Sequence, residues 1–305
     1  MKLSSVLVLA AAVAVSASNG TTGFTFLQVP TGARAVAMGG AFTAVTGDPL
    51  SLYWNPAAAA SVTDNVISTS YNSYLMDMQA GFVGWVNPGS ESILGVSLNY
   101  FYGGSFERTT MENPMGTEET FSTTGIALAG TYARPLTSQI SAGATGRFIY
   151  SQIDSYNANG FTVDIGAVYT PDAMKGFTGA LAVRNAGIQT KAFYSENDPM
   201  PTEVAAGVSQ QLLNGNLLIA ADVTMPFEGE SDAAAGVEYK PMEMLAVRAG
   251  WSLASMNTAD EAGGGFIDAM GFGIGTKYNQ FALDYAWKPM ADLGDTHRIT
   301  LGIDL

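Results

Sequence analysis

Asp222, Glu238 and Asp284 are the carboxylates whose positions could support acid–base chemistry. A carboxylate pair works that way when its surroundings push the two pKa values apart. Each of the three instead sits in the middle of an alternating segment, in a set that also contains arginines. Ion pairing in a confined interior therefore explains them better. His297 is the single histidine, which excludes multi-histidine metal sites and any Ser-His-Asp set with spare partners. Arg298 and Asp284 could pair with a neighbour of it, but beside a strand end it reads as a solvated or interfacial residue. No serine lies in a G-x-S-x-G elbow, and no phosphate loop of Walker type occurs. Gly271, Gly273 and Gly275 imitate a dinucleotide fingerprint, but G-x-G-x-G in a strand sets three glycines on one face. That suits close approach of another backbone to the strand. With no cysteine, thiol catalysis, thiolate zinc sites and disulfides are excluded. The chain reads as a protein with no catalytic residues, no metal site and no cofactor.

What positions these residues is a run of alternating segments. Fourteen stretches of period-two alternation follow one another from about residue 64: 64–75, 79–88, 92–102, 120–134, 138–150, 160–170, 176–187, 201–212, 215–226, 232–240, 243–253, 265–278, 279–288 and 295–305. No helical period appears among them. In the last, Ile299, Leu301, Ile303 and Leu305 oppose Arg298, Thr300, Gly302 and Asp304. Phe281, Leu283, Tyr285 and Trp287 likewise oppose Ala282, Asp284 and Ala286. The mid-strand charges Arg147, Asp164, Arg184, Asp222, Glu238, Arg248, Asp284 and Arg298 all fall opposite the apolar face. They are balanced in sign, and their neighbours are mostly Gly, Ala, Ser and Thr. A soluble sandwich would carry many Lys and Glu on its polar face. Sparse, balanced charge fits an enclosed lumen, with the apolar face toward lipid.

Composition agrees. Charged residues are 13% of the chain, against about 25% in soluble domains. The longest unbroken apolar run, Val6 to Val15, is too short for a spanning helix, which takes about 18 residues or more. The net charge of −14 argues against nucleic acid. Met1-Lys2-Leu3, that apolar run and Val15-Ser16-Ala17 form a secretory leader, with cleavage expected near residue 17. Connections alternate between long (103–119, 151–159, 188–200, 254–264, 289–294) and short. Outer-membrane barrels have this pattern, with long loops outside and, for an even strand count, both termini in the periplasm. Glu107, Glu112, Glu118, Glu119, Asp154, Glu196, Asp198, Asp260, Glu261 and Asp292 would then place most of the acidity on the cell exterior, where it favours solubility and non-adhesion, the alternative being specific cation or partner binding.

Residues 18–63 do not read as barrel strands. Thr31 to Val45 is small, apolar and interrupted by Gly, and Asp48-Pro49 and Asn55-Pro56 are turn signals. So apolar an exported segment needs a buried home, and the lumen is the nearest. Gly32-Ala33-Arg34, Met38-Gly39-Gly40, Asp48 and Trp54-Asn55-Pro56-Ala57, with the tail Gly294 to Ile303, resemble the PorV/PorQ family within the wider FadL-like group of outer-membrane proteins. The resemblance implies an all-β protein: a 14-stranded antiparallel transmembrane β-barrel (64–305) holding an N-terminal hatch (18–63), behind a leader (1–17). It implies an accessory role in type IX-like protein secretion or surface attachment, with secretion components or exported cargo as partners. The alternative it implies is passive transport of hydrophobic small molecules, gated by the hatch. Asn55, Pro56 and Ala57 then either lock the hatch or take part in gating.

Overall fold

The structure is a computed structural model and describes residues 22–74 and 78–305. The expected leader, 1–17, lies outside these residues. Fourteen strands run β1 Val66–Ser73, β2 Gln79–Pro88, β3 Ile93–Glu107, β4 Thr120–Pro135, β5 Ile140–Ile153, β6 Tyr156–Tyr169 and β7 Phe177–Lys191. They continue as β8 Glu203–Leu212, β9 Leu217–Pro226, β10 Asp232–Met242, β11 Leu245–Ser252, β12 Met270–Tyr278, β13 Phe281–Pro289 and β14 Asp295–Asp304. Each pairs antiparallel with its sequence neighbours, and β1 pairs with β14 to close the barrel. Val66 stands opposite Asp304 and Ser73 opposite His297, so the two ends of the ring leave at one end of the barrel. Closure leaves no sheet edge, the condition for a β-structure to cross lipid.

The alternation in the sequence becomes two surfaces. Ile67, Val83, Leu94, Leu128, Phe161, Ile165, Leu181, Ile219, Ile274 and Leu301 are exposed on the outside. Ser68, Ser97, Thr131, Thr145, Asp164, Asp222 and Thr300 are buried on the inside. A register slip of one residue would exchange these faces. An outward Arg or Lys at mid-membrane would cost about 2–4 kcal/mol.

The strands overrun several connections expected to be long. β5 and β6 pair as far as Ile153 with Tyr156, leaving a two-residue turn with Asp154 at φ 55° where 151–159 reads as a loop. β3 likewise extends to Glu107 and β7 to Lys191. Above the lipid the outward face need not be apolar, so the hydropathy pattern fades while the hydrogen-bond ladder continues. The second correction is a helix, α3 Leu253–Glu261, in a region without helical period. Its mixed composition gives little amphipathic signal. Ser252 caps it, its hydroxyl accepting from Ser255 N at 3.2 Å. Residues 266–269 form a 3-10 turn, so β12 starts five residues later than the expected 265.

The N-terminal residues form short elements: a 3-10 turn Thr25–Gln28, α1 Ala33–Ala37, α2 Ser51–Trp54 and a 3-10 turn Pro56–Ser61. Helices of four or five residues do not persist alone; packing holds these. Their partners lie around the ring. Leu52 meets Gly95 of β3, Pro56 meets Gly143 of β5, and Asn55 meets Gly166 of β6. Thr43 meets Gly207 of β8, Met38 meets Gly236 of β10, and Ala33 N donates to Thr300 of β14 at 2.9 Å.

Candidate functional site

Gly32 opens α1 with φ 89°, a conformation L side chains rarely adopt, and a Cβ there would overlap Leu50. The turn aims Arg34 at the wall. Its Nε and Nη2 donate to the two Glu238 carboxylate oxygens at 2.7 and 2.8 Å, and its Nη1 to Asp48 at 3.0 Å. Burial alone would lower the Arg34 pKa, but Glu238 and Asp48 outweigh it and hold the guanidinium above its ordinary value. Arg248 joins the cluster, with Nε on Glu238 and Nη1 on Asp284, both at 2.6 Å.

After α1 the chain runs along glycines of the wall. A Cβ at Gly236 or Gly250 would collide with Met38, and at Gly271 or Gly273 with Val36 O or Ala37 Cβ. Gly39 lies against the Trp251 backbone, and Gly40 against the Trp54 ring. Two of the three glycines in 271–275 therefore seat the N-terminal segment. The third, Gly275, makes room for Asp284 and Arg248.

Further on, Phe42 N and Thr43 N donate to Asp222 at 2.9 and 2.7 Å. Trp54 Nε1 donates to Thr31 O at 3.0 Å. Asn55 is fully buried: its Nδ2 donates to Thr43 O at 2.9 Å, and its Oδ1 accepts from Ala57 N at 3.0 Å. Pro56 follows at the first helical position, where a missing N–H costs nothing. Asn55→Ala would strand a buried acceptor and a buried donor, a loss of about 1–3 kcal/mol. The expected outcome is faster hydrogen exchange at the Ala57 amide in a barrel that still folds; unchanged exchange would show the cap to be idle.

The eight mid-strand charges all reach the interior, but they do not simply pair with one another. Arg147 and Asp164 do, at 2.7 Å. Arg184 pairs with Glu203 at 2.7 Å and also donates to Trp54 O at 3.1 Å, with its guanidinium 5.5 Å from the Trp54 ring centre. Glu238 is shared between Arg34 and Arg248. Asp222 accepts both backbone N–H groups on Oδ2, leaving Oδ1 buried without a hydrogen bond, and Arg298 donates to Thr296 at 3.0 Å; neither forms an ion pair among the described residues. Of the three candidate acid–base carboxylates, Glu238 and Asp284 are thus ion-paired and Asp222 holds backbone. His297 is exposed on the outward face, where Nδ1 hydrogen-bonds Tyr285 Oη at 2.8 Å and the rings stack.

Sequence reasoning passes over several contributors. Glu203 stands at the first residue of β8, where a charge is unremarkable. Asn185 N donates to Asp164 at 2.7 Å from a left-handed bulge at φ 57°, which alternation does not reveal. Tyr53 donates its hydroxyl toward Leu27 O and Val29 O at 2.8 and 3.0 Å, and burial pushes its pKa well up, so the donor stays protonated. Lys288 Nζ donates to Ser255 Oγ at 2.6 Å.

Three cavities matter. One of about 300 Å³ opens at the end that carries the short turns, lined by Arg34, Asp48, Glu238, Lys240, Arg248 and Asp284 among others. A second of about 250 Å³ faces the opposite end, with Arg184, Glu203, Asp222, Glu230, Asp232 and Lys288 in its lining. A third of about 700 Å³ sits at the rim of that end, walled by Phe106, Phe121, Tyr156, Phe193 and Tyr194 around Arg108. Arg108 binds Asp154 at 2.9 Å and Glu119 at 3.4 Å.

The sequence pattern of the family described as type IX secretion system protein PorV matches residues 14–220, about two thirds of the chain. Among curated proteins none matches the chain. Among solved structures, the chain is similar to a Pseudomonas aeruginosa FadL homologue at 13% identity, with 90% of this chain and 99% of that one covered and a TM-score of 0.62. It is similar to the Pseudomonas putida toluene transporter TodX at 14%, with 89% and 96% covered and a TM-score of 0.59. The Ralstonia pickettii toluene transporter TbuX aligns at 11%, with 89% and 96% covered and a TM-score of 0.59. At these identities the likeness is one of fold.

Proposed function

Because the chain belongs to the PorV family of type IX secretion system proteins, we propose that it is an accessory of protein secretion or surface attachment in the outer membrane, without catalysis. Residues 22–63 act as a hatch in the lumen, the first residues of the expected 18–63 lying outside those described, and both termini face the periplasm. The family match over 14–220 carries this reading. The interior supports it, because cavities of about 250 and 300 Å³ leave no room for a folded cargo to pass. Work on proteins then falls to the rim at the long-connection end and to the outer wall. Affinity purification from native membranes tests the proposal: secretion components or exported proteins should be recovered with the chain. Their absence under conditions that preserve membrane complexes would count against it.

The second reading is passive transport of hydrophobic molecules, and the aromatic-walled rim cavity favours it. The fold it shares with two toluene transporters is consistent with it. Uptake of a monoaromatic hydrocarbon into proteoliposomes should then rise when residues 24–60 are deleted. An unchanged flux in a correctly folded barrel would remove the gating role of the hatch.

A further inference from the structure

We propose that the barrel contains a polar passage for small hydrated cations along β10–β13, closed in this structure by α1, Met38 and α2. The two interior cavities enter from opposite ends and share no lining residue. Arg34 lines one, and Val36, two residues later, lines the other. Leu50 lines the first and Tyr53 and Trp54 the second, so the septum between them is α1 with the bend to Gly40, backed by α2. It is seated on glycines of three adjacent strands: Gly236 of β10, Gly250 of β11, and Gly271 and Gly273 of β12. Met38, fully buried, lays its backbone and Cβ on Gly236 and Gly250, and its side chain packs inside the septum with Phe42, Val45 and Trp54.

The linings define the solute. In the first cavity carboxylates outnumber cationic side chains six to four: Asp48, Asp64, Glu238, Glu243, Asp284 and Asp304 against Arg34, Lys240, Arg248 and Lys277. In the second they do so four to two. A hydrocarbon entering either space would strip water from these groups without replacing its hydrogen bonds, which is costly. Water and small ions cost nothing of the kind, and a net negative lining concentrates cations over anions. This passage is separate from the aromatic rim cavity and does not depend on the secretion reading.

Planar-bilayer conductance in a potassium chloride gradient tests it. Gly250→Ala places a methyl against Met38 and so biases the septum toward displacement; Met38→Ala thins it without adding a clash. Each variant should raise mean conductance at least about tenfold over the parent, the factor for a bias of about 1.4 kcal/mol. The reversal potential should have the sign of cation selectivity. Gly130→Ala, at an outward position with nothing nearby, should leave conductance unchanged. Heat-dependent gel mobility establishes that each barrel is folded, and Met38→Ala carries the test where Gly250→Ala does not fold. The proposal is overturned if folded Met38→Ala conducts no more than the parent, if the parent conducts as freely as the variants, or if the current is anion-selective.

Discussion

Arg147→Met is expected to destabilise the folded barrel by about 3–5 kcal/mol, the usual cost of removing one partner from a buried ion pair. Arg147 and Asp164 are the most enclosed pair in the lumen, with side chains 5% and 1% exposed. Arg147 Nη2 donates to Asp164 Oδ2 at 2.7 Å and Nη1 to Asn185 Oδ1 at 2.6 Å. Asp164 in turn accepts from Asn185 N, in the left-handed bulge that bends β7. Without the guanidinium, Asp164 keeps that one backbone donor and no counter-charge. The loss should therefore be felt at the bulge as well as in overall stability.

Urea unfolding in detergent micelles, followed by tryptophan fluorescence, gives the magnitude. The companion variant separates charge from packing. Asp164→Asn keeps an acceptor for Asn185 N but removes the orphaned charge. Arg147→Met combined with Asp164→Asn should thus be more stable than Arg147→Met alone. A double variant no better than the single one would assign the loss to packing of the arginine stem.

Strand number and facing follow from alternation, since one face meets lipid and the other does not; Arg298, Thr300 and Asp304 against Ile299, Leu301 and Ile303 were enough to orient β14. The inward placement of Arg147, Asp164, Arg184 and Glu238 follows for the same reason. Their partners do not, because partner choice depends on stagger between strands and on the segment inside. Arg184 turns to Glu203 at a strand edge, and Glu238 turns to Arg34, about two hundred residues away in sequence. Strand ends beyond the lipid were equally hidden, since a ladder such as Gln152 with Asn157 needs no apolar residue. The small, apolar composition of Thr31 to Val45 points to an enclosed segment, and the G-A-R and W-N-P-A motifs imply one through the family resemblance. That Gly236 and Gly250 are its seat required the fold, because neither belongs to any motif.

The Arg34–Glu238 contact gives the second large effect, and a local one. Arg34→Met removes a bidentate pair, yet Glu238, 2% exposed, keeps Arg248 at 2.6 Å and has Lys240 at 3.7 Å. The carboxylate is not orphaned, so the barrel wall should hold. The N-terminal segment loses charge-assisted hydrogen bonds to the wall and to Asp48, each worth about 1.5–3 kcal/mol. A net loss of about 2 kcal/mol would raise the population of the loosened segment about 30-fold. Limited proteolysis within residues 24–60 should accelerate by a similar factor, while heat-dependent mobility and the urea midpoint of the barrel stay near those of the parent. Arg34→Lys should restore only part of the protection, because an ammonium cannot span both Glu238 oxygens as the planar guanidinium does. A lysine variant as well protected as the parent would show that charge alone holds the segment. A methionine variant cleaved no faster would mean that the glycine seat, rather than the ion cluster, fastens α1 to the wall.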